Sequence, residues 1–464
     1  MKRITAVLAA AMSVLMLSSP VTYAAKADIS DYVRMDEYVP FKMTDADFWI
    51  DLKGAEEKKI YSRSSIDRLN EENRITFSID GNTVSLYDLE DTIDGGIVRA
   101  LVGMANTPSD PSAVYRKGKP TTSSYWRKLE EKRNMEGIED EVQVQFGFST
   151  KRSSLRAFPS YDFIGEDEGD RFYDVMVWSE FMPYMPLAVL HETADGEWLY
   201  VCFEGFSGWV HKDCVALCET KDEWLERADP EEFLVVTGRE VRLQDDVENE
   251  SLSGSLLPMG TKMPLVRIED APEFINDRET KGCYIVKLPV RGEDGYITDR
   301  YSLISIKEDV NIGYLDYTRE NVVRQAMKLY GDRYGWAGMS HSNDCSGITG
   351  EIFRCFGIKL PRVSSDIGNY NGKKTYDVTE YPVKKKIRLL KKVPIGSVLF
   401  FKGHIMIFLG VYKDAPYCIS AAGTYYDDSE KIYDTNSVLI TNMNEVNRSD
   451  GDSWTEHLQK IVVI

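Results

Sequence analysis

The chain has 464 residues, 43% of them hydrophobic and 28% charged, with a formal net charge of -19. At ~100–200 residues per domain there is room for three or so folded units, and the composition excludes a disordered chain. The acidity excludes a nucleic-acid partner, which needs a basic face for phosphate, and simple electrostatic attachment to an anionic wall polymer or membrane surface.

Residues 1–24 read as a secretory signal. Lys2 and Arg3 give the positive end, Ile4 to Leu17 is apolar, and Thr22 and Ala24 suit cleavage before Ala25. That run is too short for a membrane span, and no later segment is long and apolar enough. The mature protein is expected to be soluble, without a stable membrane anchor, and secreted or periplasmic. Residues 25–145 look helical or irregular, with a polar helix over Ser64 to Asn73 and breaks at Pro108, Pro111 and Pro120.

From about 150 the pattern changes to short strands. Leu187 to Leu190 is apolar, and the turn Asp195-Gly196 leads into Trp198, Tyr200 and Cys202 in alternation. Gly208-Trp209-Val210 opens another strand. A second β-rich block carries Leu234-Val235-Val236, Met263-Pro264-Leu265-Val266 and Tyr284-Ile285-Val286, and it ends Asp294-Gly295-Tyr296-Ile297. The shared glycine–aromatic–β-branched endings hint at two small barrels in tandem.

The last part differs again. Thr318 can cap a helix reaching Tyr330, with Val322, Val323, Ala326 and Met327 on its apolar face. A second helix starts at Cys345, runs a stripe of Ile348, Ile352 and Phe356, and stops at Gly357. Strands follow at Val398–Phe401 and His404–Leu409, which makes an α+β unit.

The seven cysteines show no disulfide framework, and an odd count in an exported protein leaves at least one thiol unpaired within the chain. His211, Cys214 and Cys218 lack a second ligand pair at metal-site spacing, so they read as buried apolar cysteines beside a histidine, with no metal and no cofactor expected. Cys345 is different. Asp344 is a good N-cap, which puts the thiol in the first helical turn, where free N–H groups and the helix dipole are expected to depress its pKa and to stabilise an oxyanion. His404 begins a strand entered through Gly403, and a strand-borne histidine beside a helix-start cysteine is what a papain-like site needs. Of the other histidines, His191, His211 and His457 sit in polar surroundings that suggest the surface, while His341 is the rival for a site role.

Several segments carry a resemblance in order: Tyr334-Gly335-Trp336-Ala337-Gly338, Asp344-Cys345-Ser346-Gly347, Gly357-Ile358-Lys359-Leu360-Pro361-Arg362, Pro394-Ile395-Gly396-Ser397-Val398, and Gly403-His404 with Leu409-Gly410. Residues 308–464 thereby resemble the NlpC/p60 family of papain-like cysteine peptidases. Phe48-Trp49, Ile66 and Asn70 resemble the stabilising segment that precedes such domains, within 25–145. Leu155-Arg156-Ala157-Phe158-Pro159, Asp195-Gly196-Glu197-Trp198 and Gly208-Trp209-Val210 resemble a first bacterial SH3-like domain, 146–222. Met259-Gly260-Thr261 with Asp294-Gly295 resemble a second, 228–306.

The resemblance implies a γ-D-glutamyl-diamino-acid endopeptidase acting on peptidoglycan stem peptides or muropeptides. It makes Cys345 the nucleophile and His404 the base. Tyr334, Asp344 and Ser346 would line the substrate site, and Arg362 and Ser364 match a loop that closes over it. Two positions depart from the family. Ser420 falls where a third polar residue, most often histidine, is usual, so a slower enzyme is expected. Val363 replaces an acidic residue that in many relatives binds the amino terminus of L-alanine. The alternative is a weakly active or inactive wall-peptide-binding protein. The basic run Lys384, Lys385, Lys386, Arg388, Lys391 and Lys392 reads as a solvated face.

Overall fold

A computed structural model of the chain describes residues 33–34, 39–53, 58–79, 82–426, 432–445 and 451–464. The segment read as a signal, 1–24, lies outside the described residues. No described helix is long and apolar enough to cross a membrane.

The first α-helices among the described residues are α1 (Ala46–Lys53) and α2 (Arg63–Glu72), followed by α3 (Gly95–Val102) and α4 (Ser123–Lys132). The polar helix expected over Ser64 to Asn73 is α2, capped by the Ser62 side chain. Its few apolar residues, Ile66 and Leu69, are buried, and its other face is polar. Both α1 and α2 bind forward onto the far end of the chain. Trp49 is fully buried, donates Nε1–H to the Met43 carbonyl at 2.7 Å, and packs 5.3 Å from the Tyr417 ring. Asn70 donates to the Gly357 carbonyl at 2.8 Å and accepts from the Lys359 N–H at 2.9 Å, so one amide side chain ties α2 to a turn 287 residues away.

The next block is a seven-stranded antiparallel sheet. Its strands are β1 (Gln145–Ser149), β2 (Ser153–Arg156), β3 (Val177–Phe181), β4 (Pro186–Glu192), β5 (Trp198–Phe203), β6 (Phe206–His211) and β7 (Val215–Leu217), in the spatial order β3-β2-β6-β5-β4-β1-β7. Period-2 alternation divides it: Leu187, Val189, Leu199 and Val201 fill one core, while Ala188, Leu190, Tyr200 and Cys202 fill another with Trp209 and Trp224. The edge strands β3 and β7 do not pair with each other, so the expected barrel is an open sheet. Helix α5 (Lys221–Ala228) leads out of it.

A smaller β block follows, with β8 (Phe233–Val236), β9 (Lys262–Pro264), β10 (Cys283–Arg291), β11 (Ile297–Ser305) and β12 (Val310–Ile312). Strands β9-β8-β12 form one sheet and β10-β11 a long hairpin, around Leu234, Val236, Met263, Val286 and Leu288. These strands also form separate sheets rather than a closed barrel.

The last unit contains α6 (Arg319–Lys328), α7 (Cys345–Arg354), α8 (Ser364–Gly368), α9 (Val383–Leu390) and α10 (Trp454–His457). They pack with β13 (Lys374–Asp377), β14 (Val398–Phe401), β15 (His404–Tyr412), β16 (Ala415–Tyr426), β17 (Ile432–Asn442) and β18 (Lys460–Val463), whose order is β13-β18-β14-β15-β16-β17. Ile405, Ile407 and Leu409 face the α6–α7 core, which also holds Trp49 and Ile66. Met406 and Phe408 face a second core with Phe401 and Cys418. A strand covered on both faces reads as an unbroken apolar run, which is why His404 stands out at its head.

Several expectations need correction. His191 is half-buried, with Nε2 at 3.0 Å from the Arg133 and Asn134 carbonyls, and burial pulls its pKa down. His211 packs against the Trp198 ring at 5.6 Å rather than standing in solvent. In the basic run, Lys386 is buried on the same helix face as Leu390 and donates to the Glu456 and Leu458 carbonyls at 2.7 and 2.8 Å. It acts as a structural donor, while Lys384, Lys385 and Arg388 are exposed. Six of the seven cysteines, Cys214 and Cys218 among them, are buried, and Cys283 is partly exposed.

Candidate active site

Two elements meet at the site: the start of α7 and the head of β15. Asp344 is extended, with φ -83° and ψ -176°, and its Oδ1 accepts from the Gly347 N–H at 2.7 Å, so it caps α7 as the sequence predicts. The same carboxylate is gripped by Arg362, whose Nη1 and Nη2 donate to Oδ1 and Oδ2 at 2.9 and 2.7 Å. Arg362 Nη1 also donates to Ser346 Oγ at 2.8 Å, and Ser346 lies 3.1 Å from Asp344. The fork geometry of guanidinium suits this two-oxygen grip, which lysine cannot reproduce. Burial would push the Asp344 carboxyl up, but Arg362 and the bond from the Gly347 N–H hold it below the usual range.

Cys345 follows directly and is 9% exposed. Burial first, and then the Asp344 charge, push its thiol up to about 12. Hydrogen bonds from the backbone of Ile405 and of Ser346, together with the Arg362 charge, pull the other way and are outweighed. The depressed thiol expected from a helix start is therefore corrected: desolvation exceeds the helix-end effect, which is worth only about 1 kcal/mol in exposed settings.

The hydrogen bond from Ile405 sets the second half of the site, because the residue before it is His404. Gly403, with φ +79°, turns the chain from β14 into β15, and Phe401 pairs with His404 across the turn. His404 Nε2 lies 3.1 Å from Ser420 Oγ on β16. Ser420 thus offers the imidazole an uncharged hydroxyl partner. Tyr334 is half-buried beside them; burial, Asp344 and Cys345 all push its hydroxyl pKa far up.

The structure thus brings together Cys345, His404, Ser420, Tyr334, Asp344, Ser346 and Arg362. Asp344, Ser346 and Arg362 are closed on one another, so they shape the wall beside the thiol. Ser364 starts α8 beyond Val363, which is 39% exposed, and stands outside that network. His341 is exposed at the end of the loop before α7. Two aromatic residues escaped the sequence reading. Trp454 lies 5.1 Å from the His404 ring, at 36° to it. The capping box Ser453–Glu456, legible as Ser-x-x-Glu, fixes the start of its helix. Tyr173, from the seven-stranded block, packs 5.7 Å from Trp336, and any side chain at Gly423 would collide with its hydroxyl.

Residues 331–462 match the NlpC/P60 family model, and 159–211 match an SH3 domain of the SH3b1 type. The C-terminal unit is an NlpC/P60 domain. Members of this family are cysteine peptidases, generally hydrolases of cell-wall peptidoglycan. The whole fold is similar to that of an NlpC/P60 endopeptidase from Photobacterium damselae subsp. piscicida, at 18% identity and TM-score 0.70, covering 90% of this chain and 96% of that one. An NlpC/P60 family protein from Bacillus cereus ATCC 10987 aligns at 16% identity and TM-score 0.47, over 68% of this chain and 99% of that one. No curated protein matches the chain. In this NlpC/P60 domain, as in a papain-like site, cysteine comes from a helix start and histidine from the neighbouring strand.

Proposed function

We propose that the protein is an exported cysteine endopeptidase that hydrolyses the γ-D-glutamyl–diamino acid amide of peptidoglycan stem peptides. Cys345 is the nucleophile, His404 the general base and acid, and Ser420 the residue that orients the imidazole. The observation that carries this reading is Cys345 at the start of α7, packed in one core with Ile405 and Ile407 of β15, at whose head His404 Nε2 lies 3.1 Å from Ser420 Oγ.

Burial favours the neutral thiol, so His404 takes its proton as the sulfur attacks. The sulfur bonds to the γ-carbonyl carbon of D-glutamate, and the Ser346 N–H at the helix start faces the oxyanion. The C–N bond then breaks as His404 returns the proton to the departing amine. Water, deprotonated by His404, attacks the thioester, releases the γ-carboxylate and regenerates the thiol. The exposed Val363 carries no charge for a substrate ammonium group, so a free L-alanine terminus is not required for cleavage.

The test is incubation of the chain from Ala25 onward with L-Ala-γ-D-Glu-diaminopimelate and with a longer stem peptide, read by mass spectrometry beside Cys345→Ala. Cleavage by the unmodified protein alone is expected, with a loss of at least about 10⁴-fold in the variant. If neither peptide is cut, while both proteins bind them equally, the chain is a wall-peptide-binding protein instead.

A further inference from the structure

The loop that delivers the nucleophile is held from another domain. Arg152 stands between β1 and β2 of the SH3-type block, far from any motif of the NlpC/P60 domain. Its Nη1 donates to the His341 carbonyl at 3.1 Å, and its Nη2 donates to the Ser342 carbonyl at 2.6 Å and to Asn343 Oδ1 at 2.9 Å. Its Nε donates to Glu180 on β3 at 2.6 Å, with the two side chains only 10% and 3% exposed. One guanidinium thus ties three consecutive residues that end two positions before Cys345.

That loop needs holding. Ala337, Ser340 and His341 have φ of +47°, +60° and +54°, a region non-glycine residues enter at a cost and keep only where surroundings over-determine it. Gly338, at φ +92°, lies so close to the Glu180 carboxyl that any side chain there would overlap it. The loop's shape is therefore moulded on β3. At its exit, Asn343 passes the constraint on: its Nδ2 donates to Glu351 Oε2 on α7 at 2.8 Å, and its carbonyl accepts from Gly335 at 3.0 Å.

We propose that Arg152, oriented by Glu180, is a positioning residue for catalysis, clamping the strained loop through His341, Ser342 and Asn343 so that Asp344 and Cys345 enter α7 in register. This rests on the reading of Cys345 as nucleophile. The SH3-type block is then part of the catalytic apparatus through its effect on the thiol's position. Only an arginine fork can reach the three acceptors and the carboxylate together.

The experiment compares the unmodified chain with Arg152→Lys, Arg152→Met and Glu180→Gln. It measures kcat and KM on the tripeptide, and amide hydrogen exchange over 336–345. Arg152→Met is expected to lower kcat by about 10²-fold with KM within about threefold, since a shift near 1 Å in a reacting group costs that much. Arg152→Lys and Glu180→Gln should each lower kcat by about tenfold. Exchange should accelerate at Ser342–Cys345 and stay unchanged at Ile352 and Phe353. A folded Arg152→Met variant with unchanged kcat, or with its loss in KM, overturns the proposal. Should that variant not fold, Glu180→Gln, which keeps the side-chain shape, decides in the same way. If the unmodified protein cuts no peptide, the functional reading fails, but the clamp still stands or falls on the exchange at Ser342–Cys345.

Discussion

The two walls of the site are built to different standards. On the nucleophile side, Asp344 is held by a two-pronged Arg362 and by the Gly347 N–H, and the preceding loop is held by Arg152. All of these are charge-assisted or buried. On the base side, His404 Nε2 is hydrogen-bonded to the neutral Ser420 hydroxyl, with the Trp454 ring packed alongside. Breaking a buried ion pair costs about 3–5 kcal/mol, whereas a neutral hydrogen bond contributes about 1. The sulfur is thus positioned through charged partners, whereas Ser420 gives the imidazole a neutral bond.

The hardest way to break that contrast is Arg362→Met. It strands the buried Asp344 carboxylate, so a loss of about 3–5 kcal/mol is expected in urea unfolding. A loss under about 1 kcal/mol would mean the nucleophile wall is not strongly held. A second prediction probes the same wall through pH. Burial pushes the Glu351 carboxyl from 4.5 up to about 7, against the pull of Arg152 and Arg354. An acid raised in the folded state stabilises the fold fully below its unfolded pKa, and the contribution is lost as pH rises through the folded value. Relative to Glu351→Gln, the unmodified chain should therefore lose on the order of 2–3 kcal/mol between about pH 4.5 and pH 8. Parallel stability–pH curves for the two proteins would sink this.

The smallest effects belong to the base wall. Ser420→Ala removes one neutral bond and should lower kcat by about tenfold or less, with no measurable change in unfolding. Ser420→His should raise kcat by supplying a better partner for Nε2. If Ser420→Ala instead costs as much as Arg362→Met, the two walls are equally built and the contrast is wrong.

Much of this was legible in the sequence, because local signals placed it. Asp344 capping Cys345 and Gly403 leading into His404 rest on neighbours within a few residues, whereas Ser420 was placed through the family resemblance. Trp49 and Asn70 were read as a family segment, but their contacts with Tyr417, Gly357 and Lys359 could not be read from the sequence. Arg152 and Glu180 were not, since nothing near them in the chain distinguishes a surface ion pair from a clamp on residues 190 positions away. Lys386 was misread because a run of like charges hides which member faces inward, and the helix period alone puts it above Leu390. The thiol was misread because helix position is visible in a sequence and desolvation is not.

The bonds from Asn70 to Gly357 and Lys359 have a consequence in time. During synthesis, α2 emerges early and must wait for almost 300 further residues before its partners exist. The SH3-type block, made of contacts close in sequence, can complete itself meanwhile. The nucleophile-bearing unit cannot, because its buried Trp49 comes from the beginning of the chain and its strand β16 from the end. A nascent chain thus carries a finished SH3-type module long before the C-terminal domain around Cys345 can close, so the two parts of the molecule are completed in a fixed order.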